Sequence, residues 1–271
     1  MNGRTIAAVG ATAVAGGLAW GWFEAGWLRR RTLELRLHGL PRELAGMRIA
    51  HLSDFHLGKR SRSESAVAGA VEWTAERRPD LVVVTGDLVS HPSGEPTLRA
   101  LLERLDPCYV VLGNHDVEHA RDPFSRSVGL DDLSPARLLA DESVLLTLRD
   151  RRVQLVGSDP RSYRTRTSEP WLLADRDADV RILLCHYPTV LDRLPSGSFH
   201  LVLSGHMHDG QIAVPLPRDK LRLAHPRARF SAGVYERAGT VMHVSPGLGT
   251  TFVPFRFYAR PEVTELVLQP A

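Results

Sequence analysis

Five short apolar runs along the chain each break off on polar residues. Met47 to Leu52 leads into Ser53-Asp54-Phe55-His56, and Leu81 to Val84 into Thr85-Gly86-Asp87. Tyr109 to Leu112 leads into Gly113-Asn114-His115-Asp116, and Ile182 to Cys185 into His186. Leu201 to Leu203 ends on Ser204-Gly205-His206-Met207-His208. Continuous aliphatic runs of this length predict strands buried on both faces. Helix-like stretches lie between them. Ser61-Arg62-Ser63-Glu64 reads as a capping box opening a helix, with Ala66, Val67, Ala70, Val71 and Trp73 on one stripe. Thr97 to Leu105 predicts a second helix stopped by Pro107, and Ser134 to Ala140 a third. Strand–helix alternation means an α/β sheet covered by helices, with a site at the carboxyl ends of the strands, where the polar clusters fall. Beyond Ile212, Val241 to Val244 and Val263 to Leu268 predict further strands, in a second sheet packed on the first.

The amino-terminal pattern differs. From Thr5 to Leu28 the chain is Ala, Gly, Val, Leu and Trp with one charge, Glu24, and Arg29-Arg30-Arg31 follows at once. About 20 apolar residues span a bilayer as a helix, and Trp20, Trp22 and Trp27 suit its interfacial belts. A cleaved signal peptide is the rival, but the Arg triplet lies on the wrong side of the apolar run. A soluble amphipathic helix is the third reading, because Glu24 and the glycines weaken a span. The expectation is an N-terminal membrane-spanning anchor over residues 1–31 and a folded domain over residues 45–271. Arg4 weighed against Arg29 to Arg31 puts that domain on the cytoplasmic side of the inner membrane.

Composition adds little to this. The chain of 271 residues is 43% hydrophobic and 24% charged, which describes an ordinary folded protein. A net charge of +3 and a pI near 9.1 fit an anionic partner without naming it. Cys108 and Cys185 are too few for a disulfide framework or a thiolate metal site, and each reads as a small buried hydrophobe.

The strand-end residues supply the chemistry. Hydrolysing a phosphoester needs a nucleophilic hydroxide, neutralised phosphoryl oxygens and help for the leaving group. Two metal ions about 3.5–4 Å apart provide the first two by activating a bridging water and clamping the phosphate. Asp54, His56, Asp87, Asn114, His186, His206 and His208 are an oxygen and nitrogen donor set suited to manganese, iron or zinc. Asp54 and His56 are two apart, so an extended backbone would point both the same way, and His206 and His208 repeat the spacing.

Taken in order, Asp54-Phe55-His56, Gly86-Asp87, Gly113-Asn114-His115-Asp116, His186 and Gly205-His206-Met207-His208 resemble the five-block signature of the calcineurin-like metallophosphoesterase superfamily. The resemblance implies a four-layer α-β-β-α sandwich of two sheets between helices. It also implies that Asp54, His56 and His208 hold one metal, that Asn114, His186 and His206 hold the other, and that Asp87 bridges them. His115 is implied as a non-ligand that donates a hydrogen bond or proton toward phosphate or leaving group, oriented by Asp116.

Gln211, the stretch Val244 to Thr251 and Arg260-Pro261-Glu262-Val263-Thr264 resemble small bacterial phosphoesterases with an N-terminal membrane segment. Relatives of that type are linked to UDP-2,3-diacylglucosamine hydrolysis or general phosphodiesterase activity. That group has two glycines before the glutamine where this chain has Asp209-Gly210. Asp209 reads as a loop substitution facing water, with an added negative charge beside His208 as the alternative.

His51 has no assigned place, and His38, His91, His119, His200, His225 and His243 read as surface or satisfied core histidines. Arg256 and Arg260 are within sequence reach of a phosphate, but surface or structural ion pairs account for both, and Gly247 and Gly249 suit a tight turn as well as an anion cradle. The expected activity is hydrolysis of a lipid- or nucleotide-linked phosphodiester or pyrophosphate by a membrane-tethered monomer. A phosphomonoesterase and a nuclease of the same superfamily are alternatives, as is a non-catalytic scaffold. A nuclease calls for interleaved Arg and aromatic residues, which are missing outside the anchor, so no nucleic-acid partner is expected. The scaffold calls for lost ligands, and none is lost.

Overall fold

The computed structural model describes residues 3–117, 122–126, 128–217, 219–224 and 226–271. The chain runs through α1 (Gly3–Glu24), β1 (Arg29–Leu37), β2 (Arg48–Leu52), α2 (Ser63–Arg77), β3 (Leu81–Thr85), α3 (Glu95–Glu103) and β4 (Cys108–Val111). It continues through β5 (Arg137–Leu138), β6 (Glu142–Leu148), β7 (Arg151–Gly157), α4 (Pro160–Thr165), β8 (Val180–Leu184) and β9 (Leu201–Ser204). The remaining elements are β10 (Ala213–Pro215), β11 (Lys220–Arg222), β12 (Gly233–Arg237), β13 (Thr240–Val244) and β14 (Glu262–Pro270).

Two six-stranded sheets form, in the orders β1-β14-β2-β3-β4-β5 and β12-β13-β9-β8-β7-β6, and β10 and β11 make a separate ribbon. All five predicted runs are strands, but they divide between the sheets: β2, β3 and β4 lie in the first, β8 and β9 in the second. The two-residue period sorts their side chains. Leu81 and Val83 point into the core between the sheets, where they meet Ile182, Leu184, Leu201 and Leu203. Val82 and Val84 point the other way, under Val67 and Val71 of α2 and Leu98 and Leu102 of α3. Leu183, Val202 and Met242 on the far face of the second sheet are covered by Tyr163 of α4 and by 3-10 turns at Pro170–Leu173 and Pro188–Asp192. The fourth layer is therefore one short helix and turns.

Several expectations are corrected. Ser134 to Ala140 is not helical. Arg137 and Leu138 pair with β4 as β5, because the open edge of β4 offers ladder hydrogen bonds that an isolated seven-residue helix cannot match. Val263 to Leu268 falls in the first sheet, not the second. β14 lies between β1 and β2, parallel to the former and antiparallel to the latter, and is buried on both faces. α2 lacks the capping box: Ser61 Oγ accepts from Ser63 N at 3.2 Å, while Glu64 turns to the Gly58 amide at 3.4 Å.

α1 is helical for 22 residues, yet among the described residues no helix is long and apolar enough to cross a membrane. Its last turn docks on the domain. Glu24 is buried and accepts from the Ala259 amide at 2.9 Å and from Trp20 Nε1 at 3.0 Å. Arg29 to Arg31, expected to flank a membrane segment, are the first residues of β1 and pair with Glu262 to Thr264, so the sheet starts upstream of residue 45.

Candidate metal centre

The turns leaving β2, β3 and β4 in one sheet meet those leaving β8 and β9 in the other. The ligand-type side chains do not project from extended backbone. Asp54, His56, Asp87, His206 and His208 all have left-handed φ, between 48° and 75°. Their two-residue spacing works through tight loops, at roughly 1–2 kcal/mol of strain per residue. Two glycines permit the close approach of these loops. A Cβ on Gly113 would lie 2.1 Å from Asp87 Oδ1, and one on Gly205 would lie 2.0 Å from Ser53 Oγ.

Two donor groups result. Asp54, His56, Asp87 and His208 bring ligand atoms within 4.8 Å of one another, as do Asp87, His186 and His206, and Asp87 is common to both. His56 Nε2 and His208 Nε2 are 3.0 Å apart, and His186 Nε2 lies 3.2 Å from both His206 Nδ1 and Asn114 Oδ1. Asp87 Oδ2 is 3.5 Å from His56 Nε2 and 3.3 Å from His186 Nε2. Ring nitrogens converging in buried pairs, with two carboxylates and an amide oxygen between them, fit two divalent cations. All seven predicted ligands are thus brought together.

The surrounding hydrogen bonds fix the rings. His186 Nδ1 donates to the Thr85 carbonyl at 2.7 Å, which leaves Nε2 as its ligand atom. His56 Nδ1 is held by Ser90 Oγ at 2.8 Å. Burial opposes charge on His186, but Asp87 and Asp54 overcome it and raise the group to about 9. Burial pushes His206 down to about 3. Burial would raise Asp54 and Asp87, but the histidines around them win and hold both below the usual carboxylate range.

His51 now has a place. Its Nε2 meets Thr85 Oγ1 at 2.9 Å, and its Nδ1 meets His243 Nδ1 at 2.8 Å in the core between the sheets. Thr85 Oγ1 donates to Ser53 Oγ at 2.8 Å, so His51 Nε2–H donates to Thr85 and His243 Nδ1–H donates to His51. That leaves His243 Nε2 a bare lone pair, consistent with its having no partner among the described residues. Burial depresses His51 to about 3, and His243 well below its ordinary value, so both are neutral.

His115 lies edge-on to the His56 ring, and its Nδ1 is paired with Ser125 Oγ at 3.0 Å. Asp116 does not orient it. That carboxylate accepts the amides of Gly113 (2.8 Å), Leu88 (2.9 Å) and Val89 (3.2 Å), tying the turn after β4 to the turn after β3. Burial and the neighbouring Asp87 push Asp116 up to about 7.

Other expectations change as well. Asp209 is buried, not facing water. It pairs with Lys220 and with Arg222 (3.1 Å) of β11, and its φ of 52° is one that glycine would take readily. Among the described residues Arg256 makes no ion pair: fully buried, it donates to the carbonyls of Pro246, Gly249 and Ala259, with Nη2 3.2 Å from His208 Nδ1. Arg260 donates to the carbonyls of Trp27 and Leu28. Gly249 N donates to the Asp54 carbonyl at 2.5 Å, so the Gly247–Gly249 turn braces the metal loop.

His38 makes an exposed contact with Glu236, His91 accepts from the Ser93 amide, and His200 accepts from the Arg181 amide. His119 and His225 lie outside the described residues. Cys108 and Cys185 are buried and free, and burial pushes the Cys185 thiol up to about 12.

A cleft of 390 Å³ opens over the donors, floored by Asp87, Asn114, His115, His206 and His208, with Arg164, Tyr187, Gln211, Thr251 and Phe252 in its walls. Arg164, Tyr187 and Phe252 were not anticipated. Tyr187 directly follows His186 and packs on His186 and His206, with ring centroids 5.3 and 4.8 Å away. Its position beside a ligand was a readable signal. Arg164 had none, since it comes from α4, which follows no ligand cluster.

The sequence profile of the calcineurin-like phosphoesterase family matches residues 47–210. The chain is 28% identical over 233 residues to an uncharacterized metallophosphoesterase of Bacillus subtilis, YkoQ, covering 83% of this chain and 84% of that one. It is 25% identical to the phosphodiesterase YaeI of Escherichia coli, over 92% of this chain and 89% of that one. It is 31% identical to a transmembrane protein with metallophosphoesterase domain from Danio rerio, over 88% of this chain and 57% of that one. With two donor groups sharing one aspartate at the strand ends and the family profile spanning those same residues, the chain belongs to the calcineurin-like phosphoesterase family and is a phosphoric ester hydrolase.

Proposed function

We propose that the protein hydrolyses a phosphodiester or pyrophosphate bond in a lipid-linked or nucleotide-linked substrate, such as one of the UDP-diacylglucosamine type. The observation that carries this is the pair of donor groups sharing Asp87 on the floor of an open cleft. Asp54, His56 and His208 hold one divalent cation (manganese, iron or zinc), Asn114, His186 and His206 the other, and Asp87 serves both. Bound there, the cations supply an activated water and neutralise phosphoryl charge. Ser125 occupies His115 Nδ1 and leaves Nε2 for a substrate oxygen. Burial lowers His115, so a neutral ring donates a hydrogen bond there at neutral pH. The wall supports a substrate with two characters: Arg164 suits an anionic group, while Met207, Ala224 and Phe252 suit an apolar one.

The test is turnover of bis(p-nitrophenyl) phosphate against p-nitrophenyl phosphate in excess manganese, with metal analysis of each variant. Asp87→Asn is expected to lose both metal and activity. His115→Ala is expected to keep its metal and lose about 10²- to 10⁴-fold in kcat. Normal turnover by His115→Ala would overturn its role, and a wild-type protein inert on every ester would revive the scaffold reading.

A further inference from the structure

Most of the large apolar side chains left exposed belong to three segments that touch one another. They are α1 with the turn after it (Trp22, Trp27), residues 252–258 (Phe252, Val253) and the β10–β11 ribbon (Val214, Leu221). The Gly21 carbonyl of α1 accepts from the Arg256 amide at 3.0 Å, and the Trp22 ring lies edge-on to Phe255 at 6.4 Å. On the other side, Phe257 N donates to the Gln211 carbonyl and the Phe257 carbonyl accepts from Ala213 N, so this segment lies alongside β10. Within the ribbon, Val214 and Leu221 are cross-strand partners on the outer face. Arg222 turns inward to Asp209. A ribbon with its charges inward and its aliphatics outward inverts the usual order for a surface hairpin.

The charges around this surface are mostly basic. Arg260 stacks on Trp27 at 3.7 Å, exposed Arg60 shares a recess with Phe252 and Val253, and Arg62 lies against Gly26. Residues 249–261 contain no acid; Glu24 is buried, Asp122 beneath Phe252 is buried and paired with Lys59, and the exposed Asp219 is paired with Arg222. A continuous apolar and aromatic surface edged by arginines is the composition of an element seated in the headgroup region of an anionic membrane. Among the described residues no helix is long and apolar enough to cross a membrane, and Glu24 ties the last turn of α1 to the domain, which suits a helix lying along such a surface.

We propose that α1, residues 252–258 and the outer face of the β10–β11 ribbon together dock on an anionic lipid bilayer. Phe252 belongs both to this surface and to the wall of the metal cleft, so docking sets the cleft mouth at the lipid interface. Delivery of a lipid-linked substrate to the cleft rests on the function proposed above; the docking does not.

The test is flotation of the full chain with vesicles of phosphatidylcholine alone, or with about one quarter phosphatidylglycerol. Binding is expected to the mixed vesicles and to weaken in high salt. Val253→Ser combined with Leu221→Ser is expected to lower partitioning about tenfold or more per side chain. Leu172→Ser, at a side chain 75% exposed on the opposite layer, should change nothing. The substituted side chains are exposed, and unchanged turnover of a soluble diester checks that the fold holds.

A wild-type chain that fails to float overturns the proposal. So does a double variant that floats as well as wild type, which would assign binding to α1 alone. A solution dimer that the double variant splits, with no vesicle binding, would assign the surface to a second copy and overturn it too. His115→Ala should float like wild type, so loss of hydrolysis and loss of docking are read separately.

Discussion

His186 carries the sharpest pH dependence in the site. Its imidazole is raised to about 9, so below that pH a cation must displace a proton from Nε2 before it can bind there. Affinity at the second donor group is therefore expected to fall about tenfold for each unit that the pH drops between 9 and 6. Titration against a chromogenic chelator at several pH values would show this; a flat profile would mean that His186 is already neutral. At this scale the sequence disclosed residue types and little of their geometry. The seven ligands were legible because five runs end on them. The left-handed backbone that aims Asp54, His56, Asp87, His206 and His208 was not, because no pattern of side chains records φ in a loop whose glycines serve its neighbours. Arg256 was misread for a related reason. An arginine satisfied by three carbonyls leaves no complementary acid in the sequence to find it by.

The β10–β11 ribbon is tied to the metal loop by one side chain. Asp209 pairs with Lys220 and Arg222, both mostly shielded, and Lys220 also donates to the Tyr258 carbonyl. Asp209→Ala leaves two half-buried cations without their carboxylate, which costs about 1–3 kcal/mol. Limited proteolysis should then cut faster between residues 213 and 224, while metal content stays near wild type because Asp209 is not a ligand. Cleavage at the wild-type rate would show that the backbone pairing alone holds the ribbon. Elements were legible where apolar continuity is decisive, as in β2, β3, β4, β8 and β9. They were not where a partner decides: β5 exists because β4 has an open edge, and β14 was sent to the wrong sheet because its apolar pattern cannot say which neighbour it joins.

Each donor group draws on both sheets: Asp54, His56 and Asp87 meet His208, and Asp87 meets His186 and His206. Bound cations therefore staple the two halves of the sandwich. At free metal about a hundredfold above Kd each bound ion adds about 2.7 kcal/mol, so chelation is expected to lower Tm by about 5–10 °C per ion. A melt unchanged by chelator would place the cations outside the folded core. The α/β class was readable from alternation alone, whereas α1, read as a span, docks on the domain at its last turn, and among the described residues no helix is long and apolar enough to cross a membrane. The pairing of β1 with β14 bears on how the molecule is made. Thr32 and Glu265, in register there, are separated by 233 residues, and β1 has no other neighbour in its sheet. On a ribosome adding about 5–20 residues per second, β1 waits roughly 12–45 s for its partner. During that wait a four-arginine strand and the bare edge of β2 stand open, so a chain cut short at residue 261 would keep every metal ligand and still leave that sheet unclosed.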